Sequence, residues 1–532
     1  MRIVLLVFWI IGFNAAASTP NRDIDIVHYK FELILNDSSD AITGFATVTI
    51  KFNKDLNQFS LDLTGKTPDG KGMEVYSLKQ NNTPLHFNHR NGNLDITLKN
   101  EIKAGTQIDI MISYRGIPSD GLIISKNKYG DRTFFGDNWP NRAHHWLPVV
   151  DHPSDKASVE FIVTSPIHYE VVGSGIKTEE STLNEKQKLT HWKEDTPIST
   201  KVMVIGAARF AIQYAEEVDN IPVEFWVYPQ NKSEGFRDYA AAPKMLKFFI
   251  DNIGPYAFKK LANVQSKTKY GGMENASNIF YFENSVTGNA QVDDLIAHEI
   301  AHQWFGNSAS EADWNHIWLS EGFATYFTHL YNEHTYGKER RAKDMEKERQ
   351  EVVAYFKNSP LPIVYNSLPE NLIDILNANS YQKGSWVLHM LREEIGTEAF
   401  WTGIREYYRQ YFNKNAETAD FQRIMEKASG VKLDNFFKQW LYNPGHPILD
   451  VSWKYNAKTG ITDISIEQKQ TGMVFNFPLE VSFYGNDGEI LATEKLKVDG
   501  KKNRFSVKTA QKTNKIQLDP GINLLFESYL RK

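Results

Sequence analysis

The sequence of 532 residues contains no cysteine, which excludes disulfide bonds, thiolate metal sites, iron–sulfur clusters and a cysteine nucleophile. It also lacks an excess of basic charge, because 60 lysines and arginines face 65 acidic residues and the net charge is −5. This balance argues against nucleic acid as a partner. Any metal ion must therefore be held by histidine and carboxylate groups.

Long apolar runs are missing apart from one at the N-terminus, where Arg2 precedes apolar residues 3–13 and three alanines end the segment at Ala17. This order is typical of a secretory signal peptide, here residues 1–17. The run is short for a bilayer span, so we expect no membrane span after its removal, with an uncleaved anchor as the alternative. We expect an exported protein, periplasmic or secreted, and the lack of cysteine fits a bacterial envelope better than a eukaryotic lumen.

The remaining composition, 41% hydrophobic and 23% charged residues, is typical of a globular protein, and the length predicts three or four domains. Residues 18–210 carry short alternating runs such as HYKFELIL, which predict an N-terminal antiparallel β domain. Residues 211–444 change to helical periodicity and predict a mainly helical domain. Alternation returns in residues 445–532 and predicts a C-terminal β-sandwich. The predicted fold class is α+β with several domains.

The strongest chemical signal is the pair His298 and His302 in an H-E-x-x-H sequence. On a helix, residues four apart lie on one face, so both imidazoles can bind one ion. After eighteen intervening residues comes Glu321, near the start of the next helical pattern. Two histidines, one glutamate and an open position are typical of a hydrolytic zinc site. Glu299 then lies beside the ion as a general base for water. The alternative is a pair of histidines packed in a core helix.

Three motifs in this order resemble the M1 aminopeptidases, which have the gluzincin pattern of zinc ligands. They are the segment Gly271-Gly272-Met273-Glu274-Asn275, then His298-Glu299-x-x-His302 with Glu321, and then Tyr381-Gln382-Lys383-Gly384. The resemblance covers nearly the whole chain after the signal segment. It implies a thermolysin-like catalytic domain, one Zn²⁺ per chain and hydrolysis of the N-terminal residue from peptides with a free N-terminus.

The resemblance also implies residue roles. Glu274 would accept the substrate's α-ammonium group, and Tyr381 would donate a hydrogen bond to the oxyanion of the tetrahedral intermediate. The glycines of the GGMEN segment allow a substrate strand to approach, and Met273 would line the pocket for the first side chain. The whole segment is predicted to bind substrate: Gly271, Gly272, Met273, Glu274 and Asn275.

A polar residue of the N-terminal domain also contacts the substrate amine in related enzymes. The matching stretch here contains Asp137 and Asn138, and the sequence does not choose between them. The adjacent pair His144 and His145 has no acidic partner at ligand spacing, so we predict a structural role for it.

One departure from the family concerns the C-terminal region. Many members carry a large helical domain that caps the cleft, whereas the 88 residues after Pro444 have β alternation. We therefore expect no large helical cap and an open cleft. Epoxide hydrolysis, an activity of one family member, is not predicted, because Asp374 is not clearly equivalent to the residue used there.

The leading hypothesis is a zinc aminopeptidase in which activated water attacks the first carbonyl, Glu299 transfers the proton and Tyr381 stabilises the oxyanion. A thermolysin-like zinc endopeptidase shares the ligand set, and Glu274 distinguishes the two. A peptide-binding protein without catalysis is the third hypothesis. The oligomeric state and the preferred N-terminal residue do not follow from the sequence.

Overall fold

The computed structural model of the chain describes residues 22–90 and 92–532. The predicted signal peptide, residues 1–17, lies outside the described residues. Along the described part, a β-rich region is followed by a helical region and then by a second β region. The β-rich N-terminal domain and the helical catalytic domain predicted from the sequence are confirmed.

The N-terminal region contains fifteen strands in the described residues. They are β1 Ile24–Ile34, β2 Ile42–Phe52, β3 Leu56–Asp62, β4 Gly72–Gln80, β5 Thr83–Pro84, β6 His86–Arg90, β7 Asn93–Ile102, β8 Gln107–Ile117, β9 Leu122–Lys126, β10 Arg132–Gly136, β11 Lys156–Pro166, β12 Glu170–Gly173, β13 Ile176–Asn184, β14 Gln187–Ser199 and β15 Ile205–Ala208. The sheet orders are β13-β14-β11-β1-β2-β8-β4-β5, β3-β7-β6 and β12-β15-β10-β9. The pair β1–β11 is parallel.

Alternation along these strands explains why they form sheets with one buried face. In β11 every second residue is buried, from Ala157 to Ser165, and the residues between them are partly exposed. A side-chain period of two places all the apolar residues of such a strand on one face. That face packs into the common hydrophobic core.

The catalytic region begins with a five-stranded sheet of order β16-β17-β18-β20-β19. Its strands are β16 Ala211–Val218, β17 Ile221–Val227, β18 Leu261–Ser266, β19 Gly272–Met273 and β20 Asn278–Phe282. The two-residue strand β19 lies at the edge of this sheet and pairs antiparallel with β20. One side of β19 therefore remains available to a further strand.

Helices form the rest of the catalytic region. In the described residues these are α1 Lys232–Asp238, α2 Ala242–Asn252, α3 Asp293–Ala301, α4 Trp318–Tyr336, α5 Lys338–Phe356, α6 Gly384–Ile395, α7 Thr397–Tyr411, α8 Thr418–Ser429 and α9 Asp434–Trp440, with a parallel pair β21 Ser310–Glu311 and β22 Asn415–Ala416. Helix α4 is buried along most of its length. The charged helix α5 buries only a narrow stripe, Arg341, Met345, Glu348 and Val352. This spacing of three and four residues leaves its other faces in solvent, as the charge pattern predicts.

None of the helices in the described residues combines the length and apolar character needed to cross a membrane.

The C-terminal region contributes seven strands within the part that is described. They are β23 Ile448–Asn456, β24 Ile461–Gln468, β25 Phe477–Tyr484, β26 Ile490–Val498, β27 Lys502–Lys508, β28 Lys515–Leu518 and β29 Glu527–Arg531. They form two sheets, β27-β24-β23-β29 and β26-β25-β28. A sandwich of these sheets stays a prediction.

A buried ion pair joins this region to the catalytic helices. The guanidinium of Arg349 on α5 lies 2.5 Å from the carboxylate of Asp519, and both side chains are almost fully buried. The same guanidinium packs over the ring of Trp386 on α6. The loop between β28 and β29 also contacts α6 directly, because Nε2 of His389 lies 3.0 Å from the backbone oxygen of Ile522.

Candidate active site

Two histidines on one helical face form the centre of the site. His298 lies in α3, and His302 follows the last residue of that helix with backbone angles that continue it. Their Nε2 atoms are 3.1 Å apart because residues four apart stack on one face. Two aspartates, Asp293 and Asp294, occupy the first turn, where negative charge complements the helix dipole.

Glu321 reaches the same point from the neighbouring helix. It lies in the first turn of α4, and its Oε2 atom is 3.2 Å from Nε2 of His302 and 3.6 Å from Nε2 of His298. The structure thus brings together three side chains that the sequence separates by up to 23 positions. These are the three residues predicted as metal ligands.

The arrangement fits a tetrahedral zinc ion. The three ligand atoms are separated by 3.1 to 3.6 Å, close to the edge of about 3.4 Å expected for a tetrahedron with bonds near 2.1 Å. The Nδ1 atom of His302 lies 3.1 Å from the backbone oxygen of Phe305, to which it can donate a hydrogen bond. Such a bond leaves the lone pair of Nε2 free for a metal.

A second cluster shares His302 with the first. In the described residues, ligand atoms of Glu274, Glu299 and His302 lie within 4.8 Å of one another. Oε1 of Glu274 is buried and has no hydrogen-bond partner among the described residues. With Glu321, the site contains three buried carboxylates, which together carry three negative charges when ionised. A divalent metal ion and one further positive charge would balance that charge.

The pKa values of the site residues are shifted because these carboxylates and imidazoles are buried close together. Burial, together with the neighbouring carboxylates, raises the pKa of Glu274 and of Glu299 above the usual range of a glutamate. Burial lowers the pKa of His302, but Glu321 and Glu274 outweigh it and raise that pKa to about 10. The pKa of Glu321 is lowered, because the two imidazoles outweigh its burial. The carboxylates thus favour positive charge at the centre of the site.

Glu299 contacts the edge strand β19 directly. A β-carbon built on Gly272 would lie 2.3 Å from Oε1 of Glu299, so any larger residue there would displace that carboxylate. The backbone of the edge strand therefore passes directly beside the predicted general base. Met273 is buried and pairs with Phe280 in β20.

Tyr381 borders the site from a different segment. It belongs to the π-helical turn Asn379–Lys383, and its ring stacks on that of His298 with centroids 5.9 Å apart. Burial and the nearby carboxylates raise the pKa of Tyr381. Its phenol therefore stays protonated and can donate a hydrogen bond.

Two predicted residues, Asp137 and Asn138, have their side chains bonded to other groups. Asp137 forms an ion pair with Arg142 and accepts a hydrogen bond from the backbone of Lys269. The amide of Asn138 donates to the backbone oxygens of Thr200 and Met203 and accepts from Trp146. The structure does not place either among the clustered carboxylates, and a contact with the substrate amine stays a prediction.

Other predicted residues are also placed by the structure. Asn275 is fully buried, and neither of its side-chain polar atoms has a partner in the described part of the chain. Gly271 precedes β19, and a β-carbon there would meet Leu295 at 3.8 Å. His144 contacts the carboxylate of Asp151, and His145 contacts hydroxyl groups, so each has a local partner.

Some residues that support the site were not identified from the sequence. Gln303 and Asn307, both fully buried, contact the backbone of the GGMEN segment. Lys201 of the N-terminal region forms a buried ion pair of 2.5 Å with Glu311 of the catalytic region. The sequence offers a weak signal for Gln303, because a polar residue four positions after Glu299 would point to the same side if the helix continued. In the structure the helix ends two residues earlier, at Ala301. The Lys201 pair carries no local signal.

The site has two imidazoles and one carboxylate around a common point, with a further glutamate beside them. This set of groups defines the site of a metal-dependent hydrolase. The chain belongs to peptidase family M1: residues 26–202 match the peptidase M1 N-terminal domain, and residues 238–440 match the peptidase family M1 domain. The family implies a zinc cofactor.

The curated relatives that it matches include glutamyl aminopeptidases. That of Rattus norvegicus is 26% identical over 498 residues, which cover 87% of this chain and 52% of the relative. That of Homo sapiens is 28% identical over 333 residues, which cover 59% of this chain and 34% of the relative. The chain thus spans about half the length of such relatives or less.

A solved structure has the same fold. The M1 zinc metallopeptidase from Deinococcus radiodurans superimposes with a TM-score of 0.68 at 22% identity, over 80% of this chain and 94% of that chain.

Proposed function

We propose that this chain is a zinc-dependent aminopeptidase that removes the N-terminal residue from peptides, with one zinc ion per chain. The observation that carries the proposal is the position of Glu274. Its buried, unpartnered carboxylate oxygen adjoins the predicted metal ligands, next to the free edge of β19. An acceptor at a fixed distance from the metal selects a free ammonium group and places the first peptide bond at the reacting position.

Each side chain then has a defined role. A zinc ion on His298, His302 and Glu321 would lower the pKa of water and polarise the scissile carbonyl. Glu299 accepts a proton from the attacking water and passes it to the leaving amine nitrogen as the carbon–nitrogen bond breaks. Tyr381 donates a hydrogen bond to the oxygen that becomes negative.

The edge strand positions the substrate backbone. A peptide that adds to β19 as a further strand would place its first residues beside Glu299 and Glu274. The close approach at Gly272 supports this arrangement, because the strand and the base are already in contact.

Hydrolysis of aminoacyl arylamides, with the same compounds acetylated at the amine, tests the proposal. We expect cleavage of free-amine substrates, loss of cleavage after treatment with a chelator, and recovery with Zn²⁺. Substitution Glu299→Gln should retain zinc and reduce turnover about 10²- to 10⁴-fold. Equal cleavage of free and acetylated substrates would instead support an endopeptidase, and chelator-resistant activity would contradict the zinc mechanism.

The substrate panel should contain glutamyl derivatives, because several relatives are named glutamyl aminopeptidases. We also propose that the protein is exported, on the basis of residues 1–17, and that it acts in peptide catabolism, on the basis of the proposed aminopeptidase activity. A comparison of the N-terminus of the protein recovered from its host with the encoded sequence tests export.

A further inference from the structure

The backbone oxygen of Glu274 accepts hydrogen bonds from two buried amide side chains. Nε2 of Gln303 lies 2.8 Å from it and Nδ2 of Asn307 lies 2.6 Å from it. Both amides are fully buried and belong to the segment that directly follows the second histidine of the metal-binding helix. A carbonyl oxygen has two lone pairs, so this pair of donors satisfies it completely.

Gln303 also binds the far end of the same loop. Its Oε1 atom accepts a hydrogen bond of 3.0 Å from the backbone nitrogen of Ser277. Ser277 has a φ of +63°, in the left-handed region that non-glycine residues rarely adopt. One side chain therefore bridges the two ends of the turn from Glu274 to Ser277 and supports a strained backbone conformation.

The bridge lies where regular β pairing ends. The turn is also bonded to neighbouring segments, by Ala276 to the backbone oxygen of Val202 at 3.2 Å and by Ala262 to that of Ser277 at 2.9 Å, but these bonds do not involve Glu274. Strand β19 contains only two residues, Gly272 and Met273, and Glu274 follows it directly. Gln303 lies in the turn two residues after α3, where its backbone nitrogen donates to the oxygen of Ile300 at 3.0 Å, and its Nε2 atom also lies 3.4 Å from the backbone oxygen of Glu299. The amides thus connect the Glu274 backbone to the structure that carries the general base and the metal ligands.

We propose that Gln303 and Asn307 are positioning residues that set the distance between the ammonium acceptor Glu274 and the metal ligands. This inference rests on the proposed function, in which Glu274 binds the substrate amine. Loss of either amide leaves the Glu274 carbonyl with one donor fewer and frees its backbone to shift. A displacement of about 1 Å at such a site is enough for a 10²-fold effect on the reaction.

The experiment measures binding without turnover. In the zinc-loaded Glu299→Gln protein, calorimetry gives the Kd of tri-alanine and of N-acetyl tri-alanine. The second substitution is Gln303→Leu or Asn307→Leu. We expect each substitution to raise the Kd of tri-alanine at least tenfold. The Kd of the acetylated peptide and the zinc content should stay within about twofold of the parent, and the melting temperature should change by only a few degrees.

Gln439 provides a matched control. It is a buried glutamine whose amide, like that of Gln303, both donates to and accepts from backbone atoms: it donates to the oxygen of Asn476 at 2.9 Å and accepts from the nitrogen of Asn476 at 3.0 Å. This contact joins α9 to the C-terminal sheets, and its described hydrogen bonds involve no site residue. Gln439→Leu removes an equivalent pair of bonds and should leave both Kd values unchanged.

The outcomes separate the two claims. If the parent protein binds both peptides equally, Glu274 does not select the amine and the proposed function fails. If the parent discriminates but the proteins with Gln303→Leu and Asn307→Leu discriminate equally well, the positioning inference alone is overturned. Equal weakening of both peptides, or loss of zinc, also overturns it, because the amides would then support the whole site rather than the amine acceptor. In the active background, the same substitutions should raise KM more than they lower kcat.

Discussion

The contact between Gly272 and Glu299 leads to a sharp prediction for Gly272→Ala. The added β-carbon would lie 2.3 Å from Oε1 and 2.5 Å from Cδ of Glu299. Ordinary contacts between such atoms are about 3.5 Å, so the carboxylate must move by about 1 Å. It sits at the end of a flexible side chain, so the fold tolerates the change while the base leaves its position.

A shift of that size at a catalytic group lowers the rate about 10²-fold, which corresponds to about 2.7 kcal/mol of lost transition-state stabilisation. The assay is kcat on an aminoacyl arylamide, with zinc content and thermal unfolding measured on the same protein. We expect kcat to fall about 10²-fold while zinc is retained and the melting temperature changes by only a few degrees.

Gly271→Ala is the matched comparison, because its β-carbon would make only an ordinary contact of 3.8 Å with Leu295. We expect kcat to change by a few-fold at most, and any effect of the predicted substrate contact at Gly271 to appear in KM instead. Wild-type kcat in the Gly272→Ala protein, with zinc bound, would refute the reasoning, since Glu299 would then either tolerate displacement or not act as the base.

Two further predictions concern stability. Arg349→Met removes one partner of the buried ion pair with Asp519. We expect the free energy of unfolding, measured with urea, to fall by about 3 kcal/mol. The same substitution should have no such effect in a protein that already carries Asp519→Asn. Lys383 is buried without a hydrogen-bond partner in the described residues, and burial lowers its pKa to about 7, against about 10.4 when unfolded. The unfolded chain therefore binds more protons between these values, and this group destabilises the fold most at and below pH 7. Lys383→Met should raise the melting temperature at pH 7, and this increase should become smaller towards pH 10. An increase that is independent of pH would show that the pKa of Lys383 is not lowered by burial.

Much of the fold was predictable because its signals are local. Alternation in segments such as β11 determines which face of the strand is buried, and this holds wherever the strand lies in the sheet. The sheet order was not predictable, because the parallel pairing of β1 with β11 joins residues more than a hundred positions apart. Such pairing depends on the packing of the whole region.

The candidate site also has a part that was predictable from local sequence spacing and a part that was not. The spacing of His298 and His302 predicts one shared helical face, and the carboxylate of Glu321 is indeed beside them. Asp137 and Asn138 show the limit, because their side-chain bonds are made to residues that no spacing rule connects to them. Polar side chains take whichever partner the tertiary fold brings close.

By itself, the sequence determined the shared helical face of the two imidazoles and the order of β and helical regions, because each depends on the fixed repeat of a helix or strand. Its motifs also predicted Glu321 as the third ligand, although that residue belongs to another helix. Only the tertiary structure decided that the backbone at Gly272 touches Glu299, and that Gln303 and Asn307 hold the carbonyl of Glu274. These contacts join segments whose relative position results from many weak packing interactions across the whole core. A local sequence pattern carries no information about the total of these packing interactions. The distances between groups at the site therefore follow only from the complete fold.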